Sequence, residues 1–413
     1  MAKVVIVSAD VAMPGEKGLS RVYYIAERFA RAGYDTELIV SDFQHWQKAY
    51  RTAQEQREAI KAAPFRLTFL HGLAYKRNIE PRRIAGYLQL GRRLASYLAG
   101  REYDLLYCLI PDNYLAYRAV RVFEDRGLPR AVDVEDLWPE AMRLVLDIPV
   151  LSDLLLYPFA YYAKKVYRSA DAVVGSSDTY RDEPLKYGVK PPRVVTVYVG
   201  TDLADFDRGA GEAAPRAQQK QPGEFWVTYA GTLGASYDIF TLIEAARLLR
   251  ERGDPVTVQL LGDGPMRAEF EAAAAKTGAD VRFQGFLPHD DMAAYLRRSD
   301  VAVNSLVRKA AQSIVSKIGD YLAAGIPMIN TGLDPEFRKK TETDGFGVNV
   351  PPEDPKALAD AIAALKRAPA LAAEMGARAR AVCEAQFDRE KTYTGLLDLA
   401  DALLHGPRGN GSK

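Results

Sequence analysis

The residues from Gln312 to Asn330 have the types and spacing from which a nucleotide site can be built. Ser316 is a good helix N-cap residue, and Lys317 and Asp320 follow about one turn apart on one helical face. Gly325 suits the left-handed position that ends a helix, and Pro327 prevents its continuation. The stretch therefore reads as a loop, a short helix, a glycine stop and a buried strand. A loop carrying Ser313, Ile314 and Ser316 that feeds backbone N–H groups into a helix start suits a phosphate. Asp320, one turn in, can accept two hydrogen bonds from a ribose diol. Phosphate and diol together imply a nucleotide. A second loaded segment runs from Asp133 through Glu135, Asp136, Trp138 and Pro139 to Glu140. It follows an apolar strand, so its carboxylates should emerge at the strand's C-terminal end, where Asp136 and Glu140 could hold hydroxyl groups.

These motifs resemble those of the retaining GT-B glycosyltransferases, in the family 4-like branch of bacterial polysaccharide and lipopolysaccharide biosynthesis. That family's usual signature is two glutamates eight positions apart, the second followed by a short helix and Gly-x-Pro. Aligned on Gly325 and Pro327, the second falls on Asp320 and the first on Gln312. Ser313 to Lys317 resembles the Ser-x-x-Ser-Lys run of one branch, and Asp133–Glu140 resembles a "D.qDlWPe" run in the same branch. Val197–Asp202 with Phe206, and Gly262–Pro265 followed by Val281–Gly285, resemble two further family segments. The resemblance covers nearly the whole chain and is strongest after residue 170.

The resemblance implies an α/β, GT-B fold: two Rossmann-like doubly wound domains facing a central cleft. Residues 1–200 would take the acceptor and residues 201–387 the donor, with a last helix at 388–405 packing back onto the first domain. The implied reaction moves a sugar from a nucleoside-diphosphate donor, UDP-sugar first, to a glycan or polyprenyl-linked acceptor with retention of configuration. No cofactor and no metal are implied. Asp320 would hold the ribose, and Lys317 with the Ser313–Ser316 amides would neutralise the leaving diphosphate. Gln312 would orient sugar or phosphate, Phe286 would flank the base, and Gly18, Gly231, Thr232 and Gly262 would border the donor. Asp136 and Glu140 would hold acceptor or sugar hydroxyls, Asp136 at the reacting centre. The basic pair that many members carry after the first strand of the donor domain is missing, because Thr232 and Tyr237 to Ile239 stand there, and Lys317 is its natural replacement. Two other readings are a catalytically inactive GT-B scaffold or partner subunit, and a sugar-nucleotide epimerase.

The elements that position these residues follow from periodicity. Strands Val4–Val7, Thr36–Val40, Leu105–Ile110, Arg130–Val134 and Ala172–Gly175 alternate with helical stretches, which implies a parallel doubly wound sheet. The series restarts at Phe225–Tyr229 after a polar stretch, Arg208 to Glu224, that reads as a linker. Gly15 and Gly18 follow the first strand, but no Gly-x-Gly-x-x-Gly fingerprint does, which argues against a dehydrogenase. At 413 residues, with 48% hydrophobic and 26% charged residues, the composition is that of a multidomain globular protein. Cys108 and Cys383 match no metal or redox spacing and read as buried thiols, and the four histidines are scattered. The apolar run Leu154–Ala163 is too short to span a bilayer. Residues 61–101 carry nine Lys or Arg against Glu80 alone, and the segment holds a helix whose apolar stripe runs from Ile84 to Leu98 with Arg82, Arg83, Arg92 and Arg93 off it. That face suits an anionic membrane surface, and nothing resembles a nucleic-acid-binding signature. The expected location is cytoplasmic, peripheral on the inner face of the membrane.

Overall fold

The computed structural model describes residues 1–16, 21–77, 80–140, 142, 148, 151–214, 218–310 and 314–406. The chain divides into two compact units, Met1–Val197 with Tyr393–Lys413, and Tyr198–Thr392. Gly18, Gln312 and Ser313 lie outside the described residues.

The first unit is built on strands that are near-continuous apolar runs, as parallel strands covered on both faces must be. They are β1 (Lys3–Val7), β2 (Asp35–Ser41), a hairpin of β3 (Phe43–Gln44) and β4 (Ala49–Tyr50), β5 (Arg66–Leu70), β6 (Leu105–Ile110), β7 (Arg130–Val134), β8 (Ala172–Gly175) and β9 (Val194–Thr196). Seven of them form one sheet in the order β5-β2-β1-β6-β7-β8-β9, every pairing parallel. Helices Pro81–Ala99, Asn113–Glu124 and Leu151–Ser169 cover one face, and helices Arg21–Arg31 and Thr394–His405 cover the other. The order reverses between β1 and β6, so the crevice beyond their C-terminal ends is where an open α/β sheet takes a ligand.

The second unit repeats the plan with β10 (Trp226–Ala230), β11 (Thr257–Leu261), β12 (Val281–Gly285), β13 (Val301–Asn304), β14 (Met328–Asn330) and β15 (Gly347–Asn349). Their order is β12-β11-β10-β13-β14-β15, again all parallel, with the reversal between β10 and β13.

Three local expectations are corrected. Helix Leu203–Ala213 occupies the start of the stretch that reads as a linker. Asp202 caps it by accepting the Asp205 N–H at 2.9 Å, and its small Gly209 admits Asp290 against the backbone, where a Cβ would come within 2.3 Å of the Asp290 carboxylate. In Pro81–Ala99, Ile84 at the head of the stripe is exposed while Arg83 turns inward among aromatic rings. β5 and helix Ala53–Ala62 also form, the helix opened by a reciprocal Thr52–Glu55 capping box. Cys108 and Cys383 are both free and buried.

Candidate functional site

In the second unit, β10, β11 and β12 each end on a glycine of positive φ: Gly231, Gly262 and Gly285. Gly262 must be a glycine, because a Cβ there would lie 1.9 Å from the Gly231 carbonyl oxygen and its φ is 147°. The strand ends are consequently packed backbone to backbone, joined by Gly231 N–H to Leu261 O at 2.8 Å and Gly262 N–H to Gly285 O at 2.7 Å. The Lys317 Nζ, and beside it the Tyr229 hydroxyl from the same strand end, fill the space where a Gly231 side chain would stand.

Lys317 opens helix Lys317–Ala324, but its side chain does not face solvent. Nζ lies 4.0 Å from the Tyr229 ring centroid and 3.9 Å from that of Tyr237, buried and with no hydrogen-bond partner among the described residues. The two rings meet edge to face at 5.7 Å, and Tyr229 is held by donating its hydroxyl to Thr232 O at 2.8 Å. Cation–π attraction offsets only part of the lost hydration. Burial accordingly pushes the Lys317 ammonium well below the ordinary lysine range. The arrangement holds the lysine nitrogen between two rings, its N–H groups unmatched among the described residues.

Ser316 does not cap this helix with its side chain. Its backbone is already helical (φ −56°, ψ −35°), and the Ile318 and Gly319 N–H groups close onto the Val315 and Ser316 carbonyls. Gly325 ends the helix in the left-handed conformation (φ 70°). Tyr321 ties the helix to the end of β10, accepting from Ala230 N–H at 2.8 Å and donating to Ala230 O at 3.2 Å. Asp320 is half-buried and accepts from His289 Nε2 at 3.2 Å. That hydrogen bond is the largest cause raising the His289 imidazole above its usual range. Ile314 is buried in the core, whereas Thr232 and Phe286 are exposed.

In the first unit, three carboxylates stand two or three residues beyond strand ends: Asp10 after β1, Asp112 after β6 and Asp136 after β7. Arg83 is charge-coupled to all three. Its guanidinium carbon lies 5.4, 5.3 and 5.1 Å from the ring centroids of Tyr75, Tyr87 and Trp138, and its Nε donates to Tyr87 Oη at 2.9 Å. Burial raises all three carboxyl groups, Asp112 to about 7. Asp112 Oδ1 caps helix Asn113–Glu124 while its Oδ2 is buried without a hydrogen-bond partner among the described residues. His45, 3.7 Å from Asp10 and 2.5 Å from Tyr75 Oη, is pushed down to about 3 by burial and then by Arg83 and Lys48, so it is neutral. A small cavity reaches this group, lined in part by Asp10, Ser41, Tyr75 and Arg83.

Asp136 is partly committed, accepting from Leu137 N–H at 2.9 Å and Trp138 Nε1 at 3.1 Å. Glu140 turns elsewhere, coupling to Glu183 and Tyr187. Asp133 and Glu135 are structural, both paired with buried Arg21. Sequence reasoning missed Asp10, Asp112, Arg83, Tyr229, Tyr237 and His289. Asp10 and Asp112 were findable, since each follows an apolar strand run within three residues. Among the described residues no group of three or more His, Cys, Asp or Glu side chains could hold a metal ion, and no helix is long and apolar enough to cross a membrane.

Two family descriptions match the chain. "Glycosyl transferase 4-like domain" matches residues 19–200 and "Glycosyl transferases group 1" matches residues 224–367, together most of its length. The chain belongs to the GT-B glycosyltransferases. It is 24% identical to EpsD of Bacillus subtilis (strain 168) over 79% of this chain and 82% of that protein. It is 25% identical to the amylovoran biosynthesis glycosyltransferase AmsK of Erwinia amylovora, over 39% of this chain and 40% of AmsK. Among solved structures, the Anabaena Alr3699/HepE complex with UDP superposes with a TM-score of 0.70, covering 97% of this chain and all of that one at 15% identity. Two parallel sheets with helices on both faces, and this superposition, make the fold GT-B.

Proposed function

We propose that this glycosyltransferase transfers a sugar from a nucleoside-diphosphate sugar to a glycan or polyprenyl-linked acceptor, with retention of configuration and without a metal ion. The observation that carries the donor reading is Lys317, a buried lysine without a hydrogen-bond partner among the described residues, held by two tyrosines over a glycine strand end. A diphosphate would supply the counter-charge that the two tyrosine rings do not. Asp320 lies one turn further along and accepts a ribose hydroxyl alongside its bond from His289. Uracil is the first candidate base, because a structural neighbour was solved with UDP.

In the transfer, the bond from the anomeric carbon to the diphosphate oxygen breaks and a bond to the acceptor oxygen forms on the same face. The acceptor's proton passes to the departing phosphate oxygen, so no carboxylate nucleophile is required. Lys317 stabilises the charge that grows on the leaving group, the kind of electrostatic contribution that usually dominates such steps. The acceptor belongs to the Arg83 cluster, where aromatic rings offer faces for a sugar ring and Asp10, Asp112 and Asp136 offer hydroxyl acceptors. The exposed arginines of helix Pro81–Ala99, Arg82 and Arg92 among them, suit an anionic membrane surface where lipid-linked acceptors reside.

The test is a calorimetric screen of UDP, GDP and their sugars in EDTA, on the wild type and Asp320→Ala. Binding of one diphosphate nucleotide that Asp320→Ala weakens at least about tenfold supports the reading. NMR of the sugar first released by donor hydrolysis would then read the anomer. No binding by any of these ligands to folded protein, or an inverted product, contradicts it.

A further inference from the structure

Helix Leu151–Ser169 buries one stripe, which includes Leu156, Ala163, Val166 and Tyr167, against the sheet and the neighbouring helix Asn113–Glu124. Its outer stripe is not polar. Leu154 is 71% exposed and Tyr157 63%, with Leu151, Leu155 and Tyr161 also exposed on adjoining turns. The same outer stripe continues through Lys165 to Arg168, both exposed, so it runs from apolar to basic along the helix. Asp153 lies on its flank. Tyrosine rings extend the patch onto the next helix: Tyr157 meets Tyr161, Tyr161 meets Tyr162, and Tyr162 meets both Tyr114 and Tyr117, at centroid distances of 5.0 to 6.3 Å. A contiguous exposed apolar surface of this kind marks an interaction site.

We propose that this face is a membrane-docking surface, with Leu151, Leu154, Leu155 and Tyr157 entering the interfacial region of an anionic bilayer. Tyrosine suits that depth because its ring is apolar and its hydroxyl stays wet. Lys165 and Arg168 then sit at the level of the lipid phosphates, each strengthening attachment to an anionic surface about fivefold. Charge complementarity selects this occupant. Arg82 and Arg92 are exposed on helix Pro81–Ala99, which packs on the other side of Asn113–Glu124 in the same helical layer. A surface that is apolar at one end and basic along its length is that of an interfacial amphipathic helix. The inference deepens the membrane part of the proposed function by adding an apolar anchor to its basic face, and it is independent of the donor site.

The full chain would be sedimented with phosphatidylcholine vesicles with and without phosphatidylglycerol. Three variants are compared: Leu154→Ser with Leu155→Ser, Lys165→Gln with Arg168→Gln, and Arg82→Gln with Arg92→Gln. The wild type is expected to bind the anionic vesicles, and the leucine variant to lose about tenfold or more while keeping its melting temperature. The Lys165/Arg168 variant is expected to lose part of the anionic preference and its salt sensitivity. Binding by the leucine variant equal to wild type, with loss only in the Arg82/Arg92 variant, overturns the α-helical anchor and leaves the basic face standing. No wild-type binding to either vesicle overturns both. A wild-type dimer in sedimentation velocity that the leucine variant abolishes, without vesicle binding, assigns the face to a second copy instead.

Discussion

Lys317 sets two demands that conflict. Without an anion, its buried ammonium is costly, and a flexible apolar side chain of similar length would sit better between Tyr229 and Tyr237. Lys317→Met is therefore expected to raise the unfolding free energy of the ligand-free protein by about 1–2 kcal/mol, measured in urea, while weakening diphosphate binding by two orders of magnitude or so. Stabilisation and loss of binding in one variant identify a functional strain that a merely structural lysine does not carry. His289 offers a second residue-scale test. Its pKa is raised in the folded protein, chiefly by its bond to Asp320, so the stabilisation is complete below the unfolded value near 6.5. It is lost as pH rises through the folded pKa. The melting-temperature difference between wild type and His289→Gln should shrink as pH rises from about 6 to about 8. A difference that grows over that interval contradicts the pairing.

At the scale of elements, the strand ends beside Lys317 are packed backbone to backbone. Gly262→Ala would drive a methyl group into the Gly231 carbonyl, at a φ that alanine resists, and should cost about 3 kcal/mol or more. Equilibrium unfolding would read it, and Gly223→Ala, where a Cβ meets nothing within 4 Å, controls for the positive φ alone. In the other unit, Asp112 serves both as the cap of helix Asn113–Glu124 and as a buried carboxyl raised to about 7. Its ionised form is penalised, so stability falls as pH rises from the unfolded value toward and through 7. Asp112→Asn retains a capping oxygen and removes the charge. It should match wild type near pH 4 and exceed it at pH 8 by on the order of 1–3 kcal/mol.

Across the whole molecule, the parallel plan was readable because strands buried on both faces are written as unbroken apolar runs. β6, β7 and β8 appear in the sequence at the bounds they have in the structure. Helix Leu203–Ala213 was hidden by glycines and alanines that signal a linker locally but serve close packing in three dimensions. The site was legible to the extent that a motif is contiguous. Lys317, Asp320 and Gly325 lie within nine residues, whereas the tyrosine clamp comes from 80 or more residues earlier and no local pattern announces it. The Arg83 cluster is less readable still, since its arginine sits on a helix that reads as amphipathic with a solvated basic face. A periodicity rule places Arg83 beside the stripe, and only packing against Tyr75, Tyr87 and Trp138 turns it inward.

The proposed donor site rests on Lys317 as the counter-charge of the diphosphate. The most direct measurement is a calorimetric titration of UDP into wild type and Lys317→Met over a pH series from about 6 to about 10, in pairs of buffers of different ionisation enthalpy, with EDTA present. Because burial holds the free ammonium's pKa down and an anion raises it, binding to the wild type should take up protons in part of that series, and there the observed enthalpy should differ between buffers. Lys317→Met should bind far more weakly and show no such uptake. Equal affinity in the two proteins, or identical enthalpies in both buffers for the wild type, would contradict the claim.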